Sequence, residues 1–176
     1  MRREAGPADI LAFWFSPEME KHWFKSTPAL DRQIRKKYAV LWSRAAMGEC
    51  DHWKGTAEGS LALTIILDQF PLNMFRGKPD SFSTEQLAVR VALEAVSRKQ
   101  DAELPKERVA FLYMPLMHSE SLSHQELSVE LFEAAGLEQN LRFARHHHDL
   151  IRQFGRFPHR NAILGRESTA EEIAYL

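Results

Sequence analysis

Four side chains able to grip a ligand crowd into "GRFPHRN": Arg156, His159, Arg160 and Asn161. Pro158 blocks regular helix there and pushes Phe157 towards an extended backbone. Donors outnumber acceptors in this segment. Paired guanidinium groups suit a carboxylate or a phosphate, and a histidine can move a proton near neutral pH. The same side chains could equally tie the loop to free carbonyls at helix ends.

Asp68 is the natural counterpart. It stands near the C-terminal end of the apolar run "GSLALTIILDQF", residues 59–70. Negative charge is disfavoured at that end of a helix, and burial adds to the cost unless a cation or donors compensate. Arg76, Arg156 and Arg160 are the candidate partners. A third polar group, Tyr113, His118, Ser119 and Glu120, flanks Pro115 in "FLYMPLMHSE". No Gly-x-Ser-x-Gly elbow accompanies Ser119, so a serine nucleophile is disfavoured. His118 and His159 are the expected acid or base residues. In "RHHHD", residues 145–149, consecutive helical positions turn by about 100°, so three adjacent histidines cannot converge on one ion. No pair has His-Glu-x-x-His spacing, and no metal site is expected.

These groups must be carried by helices. Leu30, Ile34, Leu41 and Ala45 recur at helical spacing after the cap pair Thr27–Pro28. The run 59–70 is apolar on every side and predicts a buried helix stopped by Pro71. "STEQ", 83–86, and "SHQE", 123–126, read as capping boxes that open two further helices. Pro105 starts another, which Pro115 ends or kinks. Leu137 to Phe154 predicts a long helix closed by Gly155. Short helices are expected over Ala8–Phe15 and after Ser168. No segment alternates as a half-buried strand does. The expectation is one all-α domain over residues 1–176, with seven to eight helices in antiparallel pairs.

Composition excludes several classes. The 176 residues hold 23 Lys plus Arg against 24 Asp plus Glu, so no basic excess points to nucleic acid. A single cysteine, Cys50, excludes an internal disulfide and fits a reducing compartment. No apolar run approaches the ~20 residues of a membrane span, and the short run "ILAFWF" lacks a signal-peptide layout. A soluble, cytoplasmic protein is expected. The chain names no cofactor.

The stretches "FWF", "LALTIILDQFPLNMFRG", "FLYMPLMHSE" and "FGRFPHRNAILGR" resemble those of a bacterial family, the domain of unknown function 924. The resemblance spans almost the whole chain. It implies a compact, tetratricopeptide-like α-superhelix and no assigned activity. Carried over by position, the family pattern highlights Asp68, Gln69, Asn73, Arg76, Tyr113, His118, Ser119, Glu120, Gln125, His147, Asp149, Arg156, His159, Arg160 and Asn161. The pattern usually reads Asp-Gln-Phe-Pro-Arg-Asn, and here Leu72 replaces that arginine. Two functions are expected from these observations. One is a cleft for a small polar or anionic molecule, lined by Asp68, Arg76, Tyr113, His118, His159 and Arg160 and able to support acid–base chemistry. The other is a helical scaffold that holds a peptide or protein partner in a superhelical groove. The second expectation concerns position: segments 68–76, 113–120 and 156–161 should meet in space.

Overall fold

The computed structural model describes residues 3–176 and contains ten α-helices, with no strand among the described residues. They are α1 Pro7–Trp14, α2 Pro17–Glu20, α3 Pro28–Ala46, α4 Ala57–Met74, α5 Glu85–Ser97, α6 Lys106–His118, α7 Leu122–Ala134, α8 Glu138–Phe154, α9 Asn161–Leu164 and α10 Ala170–Tyr175. Short 3-10 turns at Asp51–Gly55, Pro79–Phe82, Gln100–Glu103 and Pro158–Arg160 join them. The all-helical expectation is met. No helix is long and apolar enough to cross a membrane.

Helix α4 is the centre. Its residues are buried except Glu58 and Leu72, and α1, α3, α5 and α6 pack around it. An all-round apolar sequence has no solvent face to offer, so the fold must wrap it. Trp14, Phe70 and Phe111 meet in its core, with ring centroids 5.9 Å apart for Trp14–Phe70 and 5.5 Å for Trp14–Phe111. Gly59 permits the wrap at one end: a Cβ there would stand 1.8 Å from the Trp53 carbonyl oxygen.

Three boundaries differ from expectation. Pro71 does not stop α4, which continues to Met74. A proline inside a helix lacks the N–H that would bond the carbonyl four residues earlier. That carbonyl belongs to Leu67, and the Thr84 hydroxyl donates to it at 2.7 Å. The same hydroxyl accepts from Trp42 Nε1 at 3.1 Å. The "STEQ" box therefore does not form. Thr84 is the residue before α5, but its side chain serves α4 and not its own helix. Nor does "SHQE" cap α7, which begins at Leu122 after Ser121. By contrast, Thr27 accepts from the Leu30 N–H and opens α3 as predicted. Gly155 closes α8 with φ 74°, in the left-handed region that glycine enters without steric cost.

Candidate functional site

Asp68 lies nearly two turns from the end of α4, and its side chain is 3% exposed. The expected arginine partners are a correction: neither Arg76, Arg156 nor Arg160 bonds it. His118, the last residue of α6, presents Nδ1 to both carboxylate oxygens, at 3.0 and 3.1 Å. Gln69 Nε2 donates to Oδ2 at 3.1 Å. A histidine at a helix C-terminus is well placed to hold this charge, because it also faces the negative end of its own helix. Burial alone pushes the His118 imidazole down. The Asp68 charge and hydrogen bond outweigh that and carry it above its ordinary value. Its Nε2 makes no hydrogen bond to the described residues.

A second ion pair stands beside the first. Arg160 Nη1 donates to Glu85 Oε2 at 2.8 Å, with both side chains almost fully buried. Its Nη2 donates to the His118 carbonyl at 2.6 Å, which answers an end-of-helix acceptor. The guanidinium lies 4.3 Å from the Phe82 ring centroid and 4.8 Å from that of Phe157. Both terminal nitrogens of Arg160 are thus committed to the protein, and its Nε is buried without a partner among the described residues, so it is not an open fork for an anion.

These groups line a cavity of about 230 Å³, together with Leu72, His147 and His159. His147 Nδ1 donates to the Phe143 carbonyl at 2.7 Å, which assigns the lone pair to Nε2. Burial pushes this imidazole down to about 4. Burial, with the Arg160 charge, also lowers His159. The cavity therefore drives its histidines apart, His118 towards the imidazolium and His147 and His159 towards the neutral ring. The His147 shift has a measurable sign. Its folded-state value lies below the ~6.5 of an unfolded chain, so the fold binds fewer protons between the two. Its contribution is intact above about pH 6.5 and is lost as pH falls towards 4. Urea midpoints at pH 7 and pH 5 should fall less in His147→Phe than in the unaltered protein. An equal fall would show that His147 does not titrate in this way.

A second, more apolar depression of about 540 Å³ is also bordered by His118 and His147. It runs between α6 and α8, over Phe111, Met114, Met117 and Phe143, with Trp23 and Phe24 at its side.

The three sequence segments converge at the cavity through Asp68, Leu72, His118, Phe157, His159 and Arg160, and Glu120 also ties the second segment to the third. His147 lines the cavity from α8, and most of the rest of the expected set holds the frame. Asn73 and Arg76 both donate to Asp31 on α3, at 2.9 and 2.8 Å. Tyr113 donates to Asp101 at 2.6 Å. Ser119 pairs with His124 Nδ1 at 2.8 Å and accepts from the Ser121 N–H, a turn arrangement. Gln125 donates to the Met117 and Ser119 carbonyls and so closes α6. Asp149 is exposed on α8.

Much of "GRFPHRN" is likewise scaffolding. Glu120 accepts from the Phe157 N–H at 2.6 Å and from Arg166 at 2.8 Å. Arg156 and Asn161 both donate to Glu172, which the Arg156 guanidinium holds well below the usual carboxylate range. These bonds fix the turn that delivers His159 and Arg160. Glu85, Phe82, Leu72 and Phe157 were missed as cavity residues. Glu85 was hidden by its place in an apparent capping box. Leu72 alone carried a signal, as the departure from the related pattern, and it does line the cavity.

The sequence matches, over residues 10–176, the family described as bacterial protein of unknown function, DUF924. The chain belongs to the DUF924 family. A solved structure of similar fold, a protein of unknown function, ATU0120, from Agrobacterium tumefaciens, is 38% identical and superposes with a TM-score of 0.89. The match covers 96% of this chain and 95% of the other. No curated protein matches this DUF924 member.

Proposed function

We propose that the cavity binds a small polar molecule and exchanges a proton with it through His118. The observation that carries this reading is the buried Asp68 carboxylate, which fixes Nδ1 of His118 and leaves Nε2 without a protein partner. A carboxylate behind a histidine sets the tautomer and ring orientation and stabilises the imidazolium. Neighbouring imidazoles whose environments drive them in opposite directions supply an acid and a base at one pH. His118 is the acid, and His147 or His159 the base. The expected anion preference narrows to a single hydrogen-bond acceptor, a carbonyl or carboxylate oxygen at Nε2, because Arg160 is already engaged.

A second reading, a tetratricopeptide-like scaffold with a peptide partner, is supported by the apolar depression beside the cavity. Melting curves with short carboxylates and amides separate the two. A compound that binds in the cavity at ~100 times its Kd adds about 2.7 kcal/mol, or roughly 5–10 °C in a domain of this size. His118→Asn should cut that rise sharply, since asparagine keeps a donor for Asp68 but lacks the outward nitrogen. An undiminished rise in the variant would refute the assignment to His118.

A further inference from the structure

The polar cavity alone falls short of the ~300–1,000 Å³ typical of small-molecule sites. At about 230 Å³ it would hold a head group and little else. The adjoining apolar depression, about 540 Å³, brings the two together well inside that range. Both are bordered by His118 and His147, so they adjoin at the histidines.

The direction of the depression follows from residue positions. On α6 it is lined from Lys106 through Ala110 and Met114 to His118, a single helical face. At 1.5 Å per residue that face is about 18 Å long, of which Ala110 to Met117 is about 10 Å of apolar wall. On α8 the lining runs from Gln139 through Phe143 to His147 in the same sense. Polar residues thus stand at one end, apolar ones in the middle, and the histidines at the other. Phe143 is 57% exposed and Phe24 78% exposed, more apolar surface than such rings usually leave uncovered. Methionines such as Met114 and Met117 adapt to varied apolar shapes.

We propose that the ligand is amphipathic: a polar head at Asp68–His118, with an alkyl or aromatic tail along the α6–α8 groove between Met114, Met117 and Phe143. This rests on the cavity being the binding site. This shared border favours one small molecule over a peptide, because a peptide confined to the groove would leave the histidine end unfilled.

Straight-chain carboxylates from butanoate to decanoate, titrated by calorimetry below their micelle concentrations, test it. Each buried methylene should tighten binding about fourfold until the apolar wall is filled. Phe143→Asp, at an exposed position where folding is not at stake, should flatten that dependence. His118→Asn should weaken every member and keep the slope. Affinity independent of chain length, with His118→Asn still weakening butanoate, would overturn the tail and leave the cavity reading intact. A slope untouched by Phe143→Asp would put the tail elsewhere and also overturn the proposal. Loss of no affinity in His118→Asn, with the slope present, would overturn the head-group placement and with it the cavity reading. No binding by any member would overturn both.

Discussion

Glu85→Ala should lower the melting temperature by on the order of 10 °C. The substitution strands the Arg160 guanidinium, 7% exposed, without its carboxylate. Breaking one side of a buried pair costs about 3–5 kcal/mol, and each kcal/mol moves a domain of this size by roughly 2–4 °C. Removing both charges is a different experiment. Burial, joined by the Asp68 charge, lifts Glu85 above the ordinary carboxylate value even with Arg160 and His118 beside it, so these costs outweigh the attraction. The double variant Glu85→Leu/Arg160→Met keeps the packing over Phe82 and Phe157 and should recover most of the loss. A double variant as unstable as Glu85→Ala, in melting curves run side by side, would show that the pair is worth more than its burial costs.

The second large effect concerns His118. His118→Ala leaves Asp68 with only the Gln69 amide, at a cost of about 2–4 kcal/mol, below the fully buried limit because the His118 side chain is 23% exposed. His118→Asn should cost about 1 kcal/mol or less, since its amide nitrogen takes the place of Nδ1. The pH dependence has a fixed sign. The folded-state value of His118 is raised, so the charged pair stabilises fully below the unfolded value near 6.5. That contribution is lost as pH rises through the folded value. The stability gap between the unaltered protein and His118→Asn should therefore shrink from pH 6 to pH 9. In Asp68→Asn the lowering effect of burial is opposed only by the Glu85 charge, itself paired with Arg160, and the His118 ring should titrate below its ordinary value by NMR. A ring that titrates unchanged would mean that Asp68 does not control it.

The helices were legible because each has a local cause: the Thr27 cap, the apolar run of α4, the Gly155 stop. The boundaries that misled are those decided between helices. Thr84 carries the local mark of a cap, but the Leu67 carbonyl freed by Pro71 outcompetes its own helix. The site was legible by residue type and illegible by pairing. A cation for Asp68 could be demanded from burial, yet the three arginines were the candidates, and only the placing of α6 beside α4 selects His118 instead. The same holds for the arginines of the late loop. Their abundance suggested a clamp, whereas Arg156 and Arg166 are consumed by Glu172 and Glu120. Glu85 could not be read at all, because an exposed helix start and a buried ion pair have the same local sequence.

The Thr84 joint also bears on how little the site must rearrange. One hydroxyl links Trp42 of α3, Leu67 of α4 and the first turn of α5, so the helix end bearing Asp68 and the one bearing Glu85 are coupled through a fully satisfied donor and acceptor. A carbonyl that an uninterrupted helix would have kept to itself becomes the tether. Binding weakens when side chains and loops must be immobilised on arrival of a ligand, and that penalty has been met here during folding. The floor of the cavity is preorganised, and Pro71, a residue that usually disrupts a helix, is the reason.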